Sequence, residues 1–460
     1  MNTLLRKNLS LASACLAFVI VILDVSVVNV ALLQIYEQFE GSLAYLEWVV
    51  NGYTLTFASF LLTTGSLGDR FGPKRVFLIG FALFALASWL CGSADSLTSL
   101  IVFRLLQGIG AALIVPASLA IVNQTFPDAN ERSRAIGFWA ASGGMALALG
   151  PVFGGVLISM FGWRSIFYVN IPIAALGITV AYVFVVEKNS LIERKIDIAG
   201  QLLVVAALGS LTYALIQVNA YGLQSKEVLL SIAGFVATTA LFILVEHRAD
   251  SPMLPLYLFS NKQFTASALI GILVNFAFYG LVFLFSLYFQ YGWSYSPLQT
   301  GLAFLPMTGA IMIANLYSAK LMVRSGFRKT LLVGTSLAAV GYASIIPFID
   351  FHSYSAMLVQ FIVAGLGIGL AVPAMTNAML SSADSQHIGV ASGVLNASRQ
   401  IGGLIGVASM GLMLGDFATN SFTQGIIPAL CIAFIALILC AGLVLTKFSK
   451  PHAAVSETTS

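Results

Sequence analysis

The sequence contains few charged residues for its length. Only 9% of its 460 residues are Asp, Glu, Lys or Arg, whereas soluble domains carry about 25%. Hydrophobic residues make up 59% of the chain. This composition excludes a soluble globular protein and predicts one that is embedded in a lipid bilayer. A phosphate-binding P-loop is also missing, so we expect no ATP hydrolysis.

Cysteine is scarce as well. The four thiols, Cys15, Cys91, Cys431 and Cys440, lie far apart in apolar runs. This spacing matches neither a disulfide framework nor a set of metal ligands. The sequence shows no nucleophile–base pair and no metal cluster, so we expect no enzymatic activity, no cofactor and no nucleic-acid partner.

Apolar runs long enough to cross a membrane, about 20 residues each, fill the chain. We predict fourteen spans: 10–35, 46–66, 75–94, 97–122, 133–160, 164–186, 196–217, 227–246, 264–291, 299–322, 327–348, 355–378, 388–414 and 424–446. Of the 22 Lys and Arg residues, 18 lie on one side of these spans and two on the other. The positive-inside rule then predicts a multi-pass cell-membrane protein with both termini in the cytoplasm.

Two segments of the sequence are repeated. "RFGPKRVFLIG" (70–80) resembles "RSGFRKTLLVG" (324–334), and "GIGAALIVPA" (108–117) resembles "GLGIGLAVPA" (365–374). Chance similarity of glycine-rich membrane helices could explain either match alone, but the two matches are in register. They predict two six-helix bundles, 1–189 and 251–447, separated by two inserted helices in 190–250 and followed by a short tail, 448–460. In transporters of this design the substrate site lies between the halves near mid-membrane.

Three charged side chains are expected deep within the spans: Asp24, Arg104 and Arg399. A charge at the bilayer centre costs about 2.5–3.5 kcal/mol on insertion scales, so each needs a partner or a function. Arg104 is the expected partner of Asp24, and Gln107 follows Arg104 at i+3 on the same helical face. We hypothesise that Asp24 exchanges a proton for substrate in each transport cycle. A static pairing with Arg104, or an arginine satisfied by backbone carbonyls, would also account for these charges.

Two glycine-rich motifs accompany the charges. In "GSLGDRFGPKRV" (65–76), Gly65 and Gly68 allow close helix approach and Asp69 lies at a helix end. In the repeated copy Val323 replaces the acid. The fifth span contains "GFWAASGGMALALGPVFGG" (137–155), where small residues favour close packing and a proline removes a helix hydrogen bond.

These motifs, with "LDVSVVNVAL" (23–32), "WVVNGYTL" (48–55) and "ASGVLNASRQIGGLIGVA" (391–408), resemble the major facilitator superfamily. They are most similar to its fourteen-helix drug:proton antiporter branch, which includes relatives of the quaternary-ammonium and methylenomycin exporters. The resemblance implies an all-α membrane fold. It ties Arg104 to proton coupling, and Asp24 to coupling or to recognition of cationic drugs.

The resemblance also assigns two motifs. The loop motif would belong to a gate that locks the outward-open state, and its residues here are Gly65, Asp69, Arg70, Gly72 and Arg75. The motif that marks antiporters corresponds to Gly150, Pro151, Gly154 and Gly155. Ala146 stands where the family usually has a glycine four residues before the Gly-Pro pair.

The substrate cavity can be outlined only by polar side chains within spans, which usually face the bundle interior. The candidates are Asn51, Tyr53, Gln107, Asn275, Tyr279, Asn396, Arg399 and Gln400. For any single Asn or Tyr, a helix–helix hydrogen bond explains the residue equally well.

The predicted function is export of drugs or toxic small molecules by alternating access, driven by the proton gradient without a cofactor. The predicted partners are protons, the bilayer and a small-molecule substrate such as a lipophilic cation, with the chain acting as a monomer. The alternative is a proton-coupled importer or a facilitator of a small metabolite on the same fold.

Overall fold

The computed structural model describes residues 3–187, 197–249, 252–351, 353–384, 387–414 and 424–448. These residues are helical almost throughout and form no β-strand. In chain order the α-helices are α1 (Thr3–Phe39), α2 (Leu43–Phe71), α3 (Pro73–Gly92), α4 (Leu97–Thr125), α5 (Ala129–Phe161), α6 (Ser165–Tyr168), α7 (Asn170–Phe184), α8 (Ile198–Tyr221), α9 (Lys226–Arg248), α10 (Lys262–Leu287), α11 (Pro297–Ile345), α12 (Tyr354–Ser381), α13 (Ile388–Leu414) and α14 (Ile426–Lys447). Short 3₁₀ helices cover Leu256–Ser260 and Ile346–Phe351, and a π-helix covers Tyr288–Gly292.

Eleven helical segments within the described ranges are long and apolar enough to cross a membrane. One of them, Pro297–Ile349, contains two of the predicted spans, because the backbone of Gly326 is not helical and breaks α11 in two. α2 and α13 lie at two further predicted positions, with 29 and 27 residues. A helix is therefore found at each predicted position, while the number of membrane crossings stays a prediction.

The sequence repeat is also a structural repeat. Gly72 and Gly326 are equivalent in the two copies, and both have positive φ values, 87° and 77°. Only glycine adopts this conformation readily, because it has no Cβ atom. Gly72 ends α2, and Gly326 divides α11 at the same point of the second copy. The sharp corner between consecutive helices is therefore built in the same way twice.

Close helix packing repeats in the same register. A Cβ atom on Gly110 of α4 would lie 2.8 Å from the backbone nitrogen of Phe84 on α3. The equivalent Gly367 of α12 faces the equivalent nitrogen, that of Ala338 on α11. Gly108 of α4 likewise contacts Tyr53 of α2, and the equivalent Gly365 of α12 contacts the equivalent Met307 of α11. The two copies therefore pack their helices alike.

The copies meet through α5 against α11 and through α2 against α13. Near the predicted outer side, a Cβ on Gly155 of α5 would lie 2.7 Å from the Cα atom of Leu298 on α11. Midway along the same helices, Thr308 Oγ1 lies 3.0 Å from the carbonyl oxygen of Ala148. The halves are therefore in backbone contact from the outer end to the middle.

The opposite ends of these helices are less tightly packed. Cβ atoms at Gly65 and Gly68 of α2, and at Gly389 of α13, would meet no atom of the described residues within 4 Å. The close helix approach predicted for Gly65 and Gly68 is thus absent in this conformation. With the predicted orientation, the contacts between α5 and α11 described above lie towards the outside.

The inserted helices α8 and α9 pack on each other, and α8 also packs on α2 and α13. Thr63 of α2 donates a hydrogen bond to Gln201 of α8. At the end of α9, Glu246 is 3% exposed and accepts a hydrogen bond from Leu254 N at 3.1 Å. The pair is therefore attached to both copies. The boundaries 1–189, 190–250 and 251–447 stay predictions, and of the tail 448–460 only Phe448 is among the described residues.

Candidate functional site

A buried ion pair links α1 to α4. Asp24 and Arg104 are 2% and 1% exposed, and Arg104 Nη1 lies 2.5 Å from Asp24 Oδ2. Arg104 also donates from Nε to the carbonyl oxygen of Val49 on α2 at 3.1 Å. The pairing expected from the sequence is therefore present. A buried pair of this kind is stable only when its remaining polar atoms are also hydrogen-bonded.

Two amide side chains complete the surroundings of Asp24. Gln107 donates from Nε2 to Asp24 Oδ1 at 2.8 Å, and its Oε1 accepts from Arg104 at 2.6 Å. Asn170, the first residue of α7, donates to Asp24 Oδ1 at 3.0 Å. Ser88 of α3 accepts from Gln107 at 2.9 Å. One polar network therefore joins α1, α3, α4 and α7, and the sequence analysis had not singled out Asn170.

Aromatic rings cover the guanidinium group of Arg104. Its central carbon lies 4.4 Å from the ring centroid of Tyr53 and 5.7 Å from that of Phe167, distances at which cation–π attraction operates. Tyr53, predicted as a cavity residue, is fully buried. It belongs to an apolar cluster against which Tyr279 of α10 packs from the second half.

Within the described residues, the second half has no equivalent of this network. Arg104 precedes Gly108 by four residues, and the residue four positions before the equivalent Gly365 is Phe361. Phe361 is fully buried, and its ring centroid lies 5.0 Å from that of Phe285. An aromatic core therefore occupies the position that holds the ion pair in the first half.

A small cleft lies between the halves, walled by α1, α5, α10 and α11. Its lining residues are Val25, Ser26, Asn29, Leu147, Pro151, Phe278, Tyr279, Val282, Phe304 and Thr308. Gly150, beside Pro151, packs directly on α1, where a Cβ would lie 2.6 Å from Ser26 Oγ. Gly154 likewise faces Val27, at 2.6 Å from its Cγ1. The Gly-Pro motif therefore brings α5 against α1 at the edge of the cleft.

Two of the predicted cavity residues in the second half are bonded within their own helices. Asn275 Nδ2 donates to Gly271 O at 2.8 Å, and Asn396 Nδ2 donates to Ser392 O at 3.1 Å. Gln400, on the same helix as Asn396, is partly exposed. These three residues are not brought to the lining of the cleft.

Tyr279 and Arg399 lie on α10 and α13, which pack against each other. Both side chains are partly exposed. Gly403, one turn after Arg399, packs on Tyr279, with a Cβ position 2.8 Å from the ring. Within the described residues Arg399 has no carboxylate partner, since the ion pairs found there are Asp24–Arg104 and Lys7–Glu131.

Two residues of α2 show unexpected burial. Asn51 is fully buried, and neither of its amide atoms has a hydrogen-bond partner among the described residues. Glu47 is 1% exposed, faces Gly411 of α13, and leaves Oε2 without a described partner. Besides Asp24 and Arg104, Glu47 and Glu246 are therefore buried charged residues in the described part of the chain, and the three charges expected from the sequence did not include them. Glu47 lies near the start of the predicted span 46–66, and its burial was not predicted.

The loop motif at 65–76 lies against the first half. Lys74 donates hydrogen bonds to the carbonyl oxygens of Tyr182 and Val185, at the end of α7, at 2.8 and 2.7 Å. Arg70 and Arg75 are exposed, and the side chain of Asp69 lies outside the described residues. A gating role for this motif stays a prediction.

Residues 14–407 match the Major Facilitator Superfamily. The chain belongs to that superfamily. This transporter is 38% identical over 419 residues to the methylenomycin A resistance protein of Streptomyces coelicolor, covering 91% of this chain and 88% of the relative. It is 40% identical over 408 residues to the protein of the same name from Bacillus subtilis, covering 88% and 87%.

A solved D-xylose–proton symporter shares the fold, with a TM-score of 0.69, 13% identity, and coverage of 95% of this transporter and 97% of that chain. The predicted all-α major facilitator fold and the resemblance to antibiotic-resistance transporters are thus confirmed. The transporter is a multi-pass membrane protein.

Proposed function

We propose that this transporter exports toxic small molecules in exchange for protons, by exposing one site alternately to the two sides of the cell membrane. Relatives named for resistance to an antibiotic support export. The observation that carries the proposal is the Asp24–Arg104 pair, buried between α1 and α4 and linked to Gln107 and Asn170.

Ionised Asp24 holds three helices together. Its two oxygens accept hydrogen bonds from Arg104, Gln107 and Asn170, which tie α1 to α4 and α7. Charge-assisted bonds of this kind are roughly twice as strong as neutral ones. The ionised state therefore favours the arrangement of α1 seen here.

Protonation of Asp24 would change these bonds. The added proton removes the charge that Arg104 faces and converts one accepting oxygen into a donor that needs an acceptor of its own. Arg104 would keep Val49 O and Gln107 Oε1 as acceptors. The link between α1 and α4 is thus weaker when Asp24 is neutral, and α1 is freer to move.

Movement of α1 reaches the cleft directly. Ser26 and Asn29, on the same helix as Asp24, are part of the cleft wall. The carbonyl oxygen of Asn29 also accepts a hydrogen bond of 2.5 Å from Ser286 of α10 in the other half. Proton binding at Asp24 and substrate binding in the cleft therefore act on one helix, which is how the two can be coupled.

A growth screen in an efflux-deficient host, with cationic, neutral and anionic toxic compounds, first identifies a compound that the transporter exports. Transport of that compound is then measured in inside-out vesicles from the same host. For a compound that the transporter exports, Asp24→Asn should reduce uptake driven by an imposed pH gradient to the level of vesicles without the protein. The matched control is Glu131→Gln, which removes a carboxylate that is 53% exposed and paired with Lys7 and should leave transport unchanged.

Two results would count against the proposal. Full proton-driven export by the Asp24→Asn variant would make Asp24 a static partner of Arg104. Accumulation in right-side-out vesicles, with none in inside-out vesicles, would favour the proton-coupled importer instead.

A further inference from the structure

Glu47 lies where α2 of the first half packs against α13 of the second. Its side chain is 1% exposed and faces Gly411. A Cβ atom on Gly411 would overlap the Glu47 carboxyl group, so the glycine provides the space in which this group is buried. The turn before α2 is predicted to lie outside. We therefore refer to this meeting of Glu47 and Gly411 as the outer contact.

The outer contact lies in an apolar cluster. Leu46 and Leu414, close to it on α2 and α13, are fully buried and belong to the same cluster. Glu47 Oε2 is also buried, and it has no hydrogen-bond partner among the described residues. The carboxyl group is therefore removed from water, and this oxygen receives no donor in return.

Glu47 also lacks a cation in the part of the chain that the structure describes. Arg104 of α4 is paired with Asp24. Arg399 of α13 is twelve residues from Gly411, about 18 Å along the helix. α8, which packs on α2 as well, contains no charged residue. An ionised Glu47 would therefore be an uncompensated buried charge.

The other titratable groups at this end of the molecule supply no positive charge either. Besides α4, α8 and α13, the helices packed on α2 include α1 and α3. Within the described ranges, the titratable residues at the outer ends of these helices, of α2 itself and of the turn before α4 are Tyr36, Glu37, Glu40, Tyr45, Cys91, Asp95 and Tyr221. All of them are neutral or acidic, so none stabilises an ionised Glu47.

Burial in these surroundings disfavours the ionised carboxyl group, because the charge loses its hydration and gains no donor. Glu47 therefore holds a proton while the outer contact is made. When α2 and α13 separate at this end, water reaches the carboxyl group and the proton can leave. Proton binding and closure of the outer contact thus favour each other. A lower pH outside stabilises the contact, and a higher pH favours its opening.

We propose that Glu47 is a second proton-binding site, which takes up a proton from the outside when the outer contact closes and returns it to the same side when the contact opens. This inference rests on the proposed transport function. The proton does not cross the membrane, so Glu47 sets the pH dependence of the conformation, whereas Asp24 sets the exchange of protons for substrate. With acid outside, Glu47 favours closure after the substrate has left.

The first test measures the outer contact as the distance between spin labels at positions 45 and 427, at the outer ends of α2 and α14. Tyr45 and Ile427 are both exposed. The labels are placed in a full-length variant that lacks the four native cysteines and retains transport, and the pH is raised from acid to alkaline. Release of one proton on opening should raise the ratio of open to closed molecules by up to about tenfold per pH unit.

Three variants assign this dependence to a residue. Glu47→Gln, which resembles the protonated carboxyl group, should remove the one-proton dependence and leave only what Asp24 contributes. Glu47→Met, apolar and of similar length, should do the same and keeps the test valid if Glu47→Gln fails to fold. The control Glu37→Gln removes an exposed carboxylate at the outer end of α1 and should leave the dependence unchanged.

The second test counts the protons exchanged per substrate molecule in inside-out vesicles, for a compound found in the growth screen. Glu47→Gln should leave this number unchanged, because its proton enters and leaves on one side. Export should be several-fold slower, because the outer contact opens less readily when position 47 is always neutral.

The inference is overturned if Glu47→Gln keeps the full pH dependence of the label distance, or if it lowers the number of protons exchanged. The second result would make Glu47 a carrier of transported protons. Neither result affects the proposed function, which the Asp24→Asn variant tests separately. Absence of proton-driven export by the parent protein would refute the proposed function, whereas the label distances would still decide whether Glu47 binds the proton.

Discussion

At the residue scale, Asp24 depends on a donor that comes from far along the chain. Asn170 donates to Asp24 Oδ1 at 3.0 Å and lies 3.4 Å from Ser88 Oγ. It begins α7, whereas the other donors to Asp24 come from α4. Asn170 is therefore the link that ties α7 to the ion pair.

Asn170→Ala should leave Asp24 with donors from α4 only. The loss of a buried hydrogen bond to a charged group costs about 1.5–3 kcal/mol, so we expect lower thermal stability in detergent and slower proton-driven export. Asn275→Ala is the control, because in the described part of the chain the Asn275 amide donates to the carbonyl oxygen of Gly271 in its own helix. Equal stability and export by the two variants would show that Asn170 does not support the pair.

The sequence predicted part of this site. Arg104 and Gln107 share a helical face at i, i+3, and a carboxylate within an apolar run needs a cationic partner. The core of the network could therefore be predicted. Asn170 could not, because an isolated asparagine near the end of a span resembles any polar residue at a membrane interface. Glu47 was missed for the same reason, since only the packing of α13 against α2 buries it.

At the element scale, contact between α5 and α11 depends on glycine. A Cβ on Gly155 would lie 2.7 Å from the backbone of Leu298. On the other side of the contact, Gly301 of α11 faces the carbonyl oxygen of Pro151. Small residues on both helices let the two backbones approach closely where the halves meet.

Gly155→Val should force α5 and α11 apart at this contact. Overpacking of a tight contact costs about 1–3 kcal/mol, and here it would disfavour the outward-closed arrangement. We expect slower export, with increased labelling of a cysteine placed at Leu298 by a membrane-impermeant maleimide added outside.

The control for this substitution is Gly144→Val on the same helix, where a Cβ would meet no atom of the described residues within 4 Å. Its transport and labelling should match those of the parent protein. If Gly155→Val behaves like Gly144→Val, the contact does not set the position of the two halves.

At the scale of the whole molecule, helix positions and the internal repeat followed from sequence, but the conformation did not. The equivalence of Gly72 and Gly326 and the repeated packing of Gly110 and Gly367 reflect constraints that every conformation must meet. The space beside Gly65, where the sequence predicts close packing, belongs to this conformation. Apolar patterning is the same in both states of an alternating transporter, so it cannot indicate which state is seen.

The orientation of the chain can be tested with reporter fusions. Phosphatase fused after Gly222, in the turn between α8 and α9, should be active because that turn is predicted to lie outside. Phosphatase fused after Ala249, beyond the end of α9, should be inactive, and a fluorescent protein at the same point should fluoresce. The reverse pattern would require a miscounted span before α8.

The hydrogen bonds that cross between the halves have a genetic consequence. Ser286 and Thr308 donate to the backbone carbonyl oxygens of Asn29 and Ala148, and a carbonyl oxygen is present whatever the side chain at that position. Mutation can therefore remove these bonds only at the donor. A search for compensating changes across the interface would find no reciprocal partner at positions 29 and 148, and co-variation would leave these two contacts undetected.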